Sequence, residues 1–244
     1  MSYIIAENLL KEYGNGNSIV SAISNINFKI ASGEFVGVMG ESGAGKSTLL
    51  SIMGAMNSPT SGCYIVDDID VYALSQEQQA DFRREFLGFV FQSYHLVSYL
   101  TVLENVLLPL TTVKAGRKKK QAMAKEALAS MGLDGKFHRL PNQISGGEKE
   151  RVAIARAIVN DPPVLLADEP TGNLDTKTTH EVMELFQRLN KEGMTIIMVT
   201  HSAECADYAQ RILRICDGRL LEEDKSVKKV SAHGFKKPPE TKAA

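Results

Sequence analysis

The sequence predicts an α/β fold built around a phosphate-binding loop, and three observations carry that prediction. Residues 40–48 read Gly-Glu-Ser-Gly-Ala-Gly-Lys-Ser-Thr, which matches G-x-x-x-x-G-K-[ST], with an apolar run before it at 34–39 and helix-like residues after it. Further short apolar runs at 85–91, 164–168 and 195–200 read as buried strands, with helical periodicity around them. Residues 93–142 change to an all-helical pattern, which reads as a subdomain inserted between strands of the core.

Composition sets outer bounds. At 244 residues the chain can bury a full core as one large domain or a domain with a subdomain. Hydrophobic content of 43% and charged content of 23% are ordinary for a soluble globular chain. The formal net charge of −1 gives no overall field for nucleic acid or an anionic membrane. Cys63, Cys205 and Cys216 are an odd set without metal-ligand spacing, which points to a reducing compartment and to packing roles. Met1-Ser2-Tyr3 lacks the basic start and apolar core of a signal peptide. No stretch approaches the run of about 20 apolar residues that a spanning helix needs. The expectation is a cytosolic chain, soluble by itself.

In chain order, the first 33 residues read as β-rich. Ile26, Phe28 and Ile30 share one face of a strand at 19–30, and Gly14-Asn15-Gly16-Asn17 before it is a turn signal for a hairpin. The helix after the phosphate loop is expected to end near Asn57, because Pro59-Thr60-Ser61-Gly62 cannot continue it. Residues 63–66 read as a strand with a turn at Asp67-Asp68, and 85–91 as another strand. In the helical block, 101–108 has helical period, and 117–131 puts Met123, Ala127, Leu128 and Met131 on one face before Gly132. Residues 146–160 read as a helix stopped by Pro162-Pro163, and 175–192 as an amphipathic helix from Asp175 to Gly193. Asp217-Gly218 between 211–216 and 219–221 is a hairpin signal, and the lysine-rich residues from 222 onward read as disordered.

The chemistry starts at the loop. Backbone N–H groups along Gly40, Ser42, Gly43, Ala44, Gly45, Lys46, Ser47 and Thr48 can turn inward as a phosphate cradle, supported by the positive end of the following helix. Lys46 would reach the terminal phosphates and the Ser47 hydroxyl would face Mg²⁺. Asp168-Glu169 follows an apolar strand, at the sheet edge where open α/β folds bind ligands. Asp168 suits Mg²⁺ and Glu169 suits polarising an attacking water. Ser145-Gly146-Gly147-Glu148 opens a helix without a strand before it. Two readings stand here together: a second anion site, or a capping box in which Ser145 and Glu148 satisfy each other's backbone.

With GESGAGKST, Gln92 after a strand, ISGGEKER, LLADEP, GNLD and His201 in this order, the chain resembles the ATP-binding-cassette ATPases over roughly residues 3–221. The resemblance implies an α/β P-loop NTPase (RecA-like) core with an antiparallel β subdomain and an inserted α-helical subdomain. It puts the ATPase domain at residues 1–222, the helical subdomain at about 93–143 and a disordered basic tail at 223–244. It implies ATP and Mg²⁺ as ligands, with Tyr13 stacking on adenine and Gln92 touching Mg²⁺ and the attacking water while sensing a transmembrane partner. Ser145, Gly146 and Gly147 match the signature that grips the γ-phosphate of ATP held by a second copy. Asn173, Leu174 and Asp175 match the loop that crosses the dimer interface, and His201 matches the histidine that contacts the γ-phosphate. The catalytic set is then Glu169, His201 and Gln92, and the metal set Ser47, Gln92 and Asp168.

Two positions depart from the family pattern: Ile144 stands where Leu is usual, and Glu148 where Gln is usual. Residues 171–175 and 100–110 are similar to the lipoprotein-release and macrolide-export group, in which the ATPase pairs with a permease. The resemblance thus implies an ATP-dependent homodimer that drives a separate transmembrane permease, for export or for extrusion of lipoprotein, lipid or peptide. Its place would be peripheral, on the cytoplasmic face of the inner membrane, with membrane contact only through the permease. The rivals are a mechanotransmitting ATPase that moves no substrate and a soluble cassette acting on ribosomes or DNA. Arg117-Lys118-Lys119-Lys120, the segment that could serve the latter, reads as a solvated helix start, so no nucleic-acid partner is expected.

Overall fold

The computed structural model describes residues 2–14 and 18–224. The chain opens with β1 (Ser2–Tyr13) and β2 (Val20–Ala31), and β3 (Phe35–Met39) then runs into α1 (Lys46–Met53). Next come β4 (Ser61–Val66), β5 (Ile69–Asp70), α2 (Gln76–Phe86) and β6 (Leu87–Phe91). The helical insert holds α3 (Val102–Leu107), a 3₁₀ turn at Pro109–Thr112 and α4 (Arg117–Ser130), and returns through Pro141–Gln143 to α5 (Gly146–Ile158). After these lie β7 (Val164–Asp168), α6 (Thr176–Lys191), β8 (Thr195–Thr200), α7 (Ala203–Ala206), β9 (Arg211–Cys216) and β10 (Arg219–Asp224).

Two sheets result. An antiparallel sheet has the order β2-β1-β4-β5, and a larger one has the order β10-β9-β3-β8-β7-β6. In the larger sheet β9, β3, β8, β7 and β6 are mutually parallel and β10 is an antiparallel edge. A parallel strand covered on both faces needs apolar residues at every position, which is why 164–167 and 196–199 read as unbroken runs. Side chains alternate between faces. Val36, Val38, Leu166, Ile197 and Val199 join α1 and the antiparallel sheet in one core. Phe35, Leu165, Ala167, Ile196 and Met198 join α5, α6 and the helical insert in the other.

Several boundaries differ from the sequence expectation. The helix after the phosphate loop stops at Met53, not near Asn57. Gly54 caps it, pressed so close to Phe89 that a Cβ there would lie 2.2 Å from the ring, and Ala55 then turns left-handed at φ 51. Glu85 and Phe86 belong to α2, so the strand expected at 85–91 starts at Leu87. Strand β10 continues to Asp224 instead of giving way at Glu222, and Glu222, Glu223 and Asp224 pair with Arg214, Leu213 and Ile212. The expected disordered tail otherwise falls at 225–244, and the turn expected at Gly14-Asn15-Gly16-Asn17 falls largely at 15–17; both lie outside the described residues. The hairpin at Asp217-Gly218 forms as expected, with φ 46 and 73 at its two central residues.

Within the insert a buried amide ties α3 to the segment that precedes it. Asn105 on α3 is fully buried; its Oδ1 accepts from Val97 N at 2.8 Å. Its Nδ2 donates to the Val97, Leu100 and Thr101 carbonyls at 3.0–3.1 Å. Thr101 and Glu104 close a capping box at the start of α3. We expect Asn105→Ala to cost about 2 kcal/mol by leaving buried carbonyls unpaired, lowering Tm by roughly 4–8 °C. A thermal melt equal to the parent's would show that this amide does not hold the segment.

Candidate nucleotide site

Four of the parallel strands carry a candidate site group at or just past their C-terminal ends. β3 leads to the phosphate loop, β6 to Gln92, β7 to Asp168 and Glu169, and β8 to His201. The register fixes their heights: Met39 lies opposite Thr200, and Asp168 opposite both Val199 and Phe91.

The loop itself is held from two sides. Gly43 and Gly45 take φ 81 and 99, a region open mainly to glycine. A Cβ on Gly45 would lie 2.4 Å from the Ala22 carbonyl of β2, so that position tolerates nothing larger. From the other side the β9–β10 hairpin tip donates Gly218 N–H to Ala44 O at 3.1 Å, while Gly218 O accepts from Ser24 N at 2.7 Å. The N-terminus of α1 has no side-chain cap, so its N–H groups face the cavity unspent. Lys46 is buried and donates to the carbonyls of Gly40 and Glu41, both at 2.8 Å. An ammonium has three protons, so one is left for a phosphate.

A cavity of about 590 Å³ opens there, lined by Ser42, Gly43, Gly45, Lys46, Ser47 and Thr48 with Ala22, Glu169 and His201. Glu169 sits in the left-handed region at φ 46, which costs a non-glycine residue about 1–2 kcal/mol. Its N–H donates to Val199 O at 2.9 Å and its carbonyl accepts from Gly172 N at 3.1 Å, which holds it there. Its Oε1 lies 3.1 Å from His201 Nδ1. The half-buried Asp168 carboxyl is raised above its usual value by burial and then by the Glu169 charge, with Lys46 opposing. A carboxyl in that state gains by meeting a cation, which fits Mg²⁺. Among the described residues no cluster of His, Cys, Asp and Glu could hold a metal by itself. Asp168 and Ser47 offer oxygen donors of the kind that Mg²⁺ takes beside water and phosphate oxygens.

The remaining expected residues do not line this cavity. Tyr13 ends β1 half exposed, its hydroxyl accepting from Asn57 Nδ2 at 2.5 Å and its ring facing Lys11 Nζ at 5.1 Å. Gln92 is exposed, and its backbone carbonyl accepts from Asn173 Nδ2 at 2.9 Å. Ser145 caps α5 and Asp175 caps α6, while a Cβ on Gly147 would strike Thr178 at 2.2 Å. The capping-box reading of Ser145 and Glu148 is realised, and Glu148 also pairs with Lys136 of the insert. Lys136 was not legible from any motif, nor was Ala22 in the cavity wall.

The motifs now sit on one scaffold, and comparison with known proteins decides the family. The ABC transporter family profile matches residues 23–172. The chain belongs to the ABC transporter family. Its ATP-binding cassette is 45% identical over 219 residues to the ABC transporter ATP-binding protein MJ1508 of Methanocaldococcus jannaschii, covering 90% of this chain and 98% of that protein. It is 44% identical to the macrolide export ATP-binding/permease protein MacB of Rhodopirellula baltica, covering 88% of this chain but 32% of that larger protein. Among solved structures, the dimeric MJ0796 cassette superposes with a TM-score of 0.84 at 43% identity, over 91% of this chain and 98% of that one. A post-hydrolysis dimer of MJ0796 bound to ADP and Pi superposes equally well, at 0.84 and 41% identity. The cassette is an ABC-type ATPase with the mixed α/β fold of that family.

The unusual Glu148 can be tested by pH. Its hydrogen bond with Lys136 and then that from Ser145 N–H hold it below the ordinary carboxylate range. A lowered folded-state value adds stability above the unfolded pKa and loses it as pH falls through the folded one. The Tm deficit of Glu148→Gln should thus be present near pH 7, begin to shrink as pH falls below about 4.3 and close as pH passes the lower folded-state value. A deficit constant across that range would mean that shape, not charge, is what Glu148 contributes.

Proposed function

We propose that the cassette hydrolyses ATP in a homodimer, each site being completed by the signature of the other copy, to drive a transmembrane permease. The observation that carries this is the separation within one chain: the cavity holds Lys46, Ser47, Glu169 and His201 but not Ser145, Gly146 or Gly147. At the start of α5 Ser145 is exposed and Gly146 partly so, and neither lines the phosphate-loop cavity. Two copies facing each other supply both halves, and Asn173 and Asp175 would lie along their junction. The dimeric MJ0796 structures support this arrangement.

In the chemistry that follows, loop N–H groups and the third proton of Lys46 hold the phosphates, and Tyr13 offers its exposed ring to the adenine. Ser47, Asp168 and Gln92 would hold Mg²⁺, which neutralises phosphate charge when bound. Glu169 orients the attacking water and takes its proton, and His201, fixed by Glu169, faces the γ-phosphate. Little covalent work is left to the protein, since phosphoryl transfer is mostly positioning and charge neutralisation.

Among the described residues no helix is long and apolar enough to cross a membrane. A groove of about 570 Å³ suits docking of the permease: it is lined by the apolar Phe89, Phe91, Leu108 and Pro109 together with Arg83 and Arg84. The groove borders the residue 93–109 segment that follows Gln92, which links docking to the nucleotide. The location is then peripheral, on the cytoplasmic membrane face. Export in the manner named for the MacB relatives is the transport direction that the likeness favours.

Two variants test the shared site. Ser145→Arg should bind ATP as the parent does yet fail to dimerise and hydrolyse, and normal turnover would overturn the shared-site reading. Glu169→Gln should lose turnover on the order of a hundredfold or more while the ATP-bound dimer accumulates on size exclusion. For the docking surface, Leu108→Asp should abolish recovery with membranes that contain the permease while ATP still binds. Undiminished recovery would place the permease elsewhere.

A further inference from the structure

Glu150 lies on the inward side of α5 with no surface exposed, and neither carboxyl oxygen has a hydrogen-bond partner. A buried carboxylate without a partner is unfavourable, so the group stays neutral unless a cation joins it. Burial accordingly pushes Glu150 well above the ordinary carboxylate range, with Arg156 pulling the other way. Arg156 is half-buried on the same helix and spends its guanidinium elsewhere. Nη1 donates to His95 O at 2.6 Å and Nη2 to Tyr94 O at 2.7 Å.

Those two carbonyls belong to an uncomfortable stretch of backbone. Tyr94 and His95 are consecutive non-glycine residues at φ 60 and 46, a conformation that persists only where surroundings impose it. They directly follow Gln92 and Ser93, and the Gln92 carbonyl is itself tied to Asn173. Among the described residues, the charged or titratable groups that act on Glu150 are Arg156 from its own helix and Tyr94 from this segment. The buried side chains of α3, α4, α6 and β6 carry no charge, and Glu181 of α6 is turned to Arg151.

We propose that Glu150 and Arg156 are positioning residues that latch the Gln92 segment, Arg156 holding the Tyr94 and His95 carbonyls here and turning to Glu150 when the segment moves. Release of the two carbonyls leaves a half-buried guanidinium without acceptors, and Glu150 is the anion within its field. As the pair forms, Glu150 gives its proton to solvent and Arg156 keeps its charge, so one proton leaves per movement. Raising pH therefore favours the released position, by about tenfold per pH unit while Glu150 titrates. The inference rests on reading Gln92 as the residue that joins nucleotide to permease.

Amide hydrogen exchange of the full chain at residues 93–96, expressed as protection factors from about pH 6 to about pH 9, reads the latch without relying on turnover. Parent protection should fall about tenfold per pH unit within that range, while Glu150→Gln, which cannot ionise, should show protection independent of pH. The same pH dependence in both would overturn the proposal. Arg156→Lys keeps the charge but cannot hold both carbonyls, so its protection should be lower throughout, and parent-like protection would overturn the clamp. Gln92→Ala is assayed for ATP turnover in parallel. If it hydrolyses ATP at the parent rate, the assignment of Gln92 fails while the latch stands or falls on exchange alone.

Discussion

Backbone hydrogen bonds that align β3, β8, β7 and β6 in parallel fix the level at which four strands end, and the site chemistry hangs from those ends. A one-residue slip in any of them would turn its side chains to the opposite face of the sheet. That would move Val36 and Val38 out of the core around α1 and displace Asp168 from beside Val199. The packing that stabilises the domain is thus the same packing that sets the spacing of lysine, acids and histidine. Stability and chemical alignment are not separable quantities in this sheet.

Local strain is placed where the sheet can impose it. Glu169 holds a left-handed backbone because its amide is bound to Val199 and its carbonyl to Gly172. Lys46 rests on the loop carbonyls, so the loop keeps its shape before any phosphate arrives. Preorganisation of this kind lowers the ordering cost of binding and places charge where the transferring phosphoryl group needs it. Outside the cavity the helical insert meets α5 through Lys136, which pairs with Glu148, and through the Tyr94 and His95 carbonyls, which Arg156 holds.

What the sequence revealed follows the same physics. Strands covered on both faces leave an unbroken apolar record, so β3, β7 and β8 were legible, as was the phosphate loop, whose geometry demands glycine at Gly45. Helix α2 was not, because Gln76–Phe86 buries only Phe82 and shows no apolar stripe, although Ser75 and Gln78 do form a capping box. The apolar pair Phe86-Leu87 drew the strand boundary two residues too early, since either residue suits either element and tertiary contact decides. At β10 the acidic Glu222, Glu223 and Asp224 looked like tail, yet an edge strand is held by its backbone and accepts charge readily. Order and spacing of motifs picked out Lys46, Ser47, Glu169 and His201, which line one cavity, whereas Lys136 and Arg156 act through contacts that only the folded insert creates.

The hairpin at Asp217-Gly218 has a further meaning for how the molecule is made. Strand β3 and its loop are translated early, but the neighbours of β3 in the sheet are β8 and β9, and the amide that supports Ala44 comes from Gly218. During synthesis the phosphate loop must therefore wait, its strand unpaired on both sides, until nearly all of the described chain has left the ribosome. Pairing over such sequence distance is slow and leaves an apolar strand edge open to other chains. ATP cannot serve as an early folding guide for this chain, because its binding loop is among the last features to be completed.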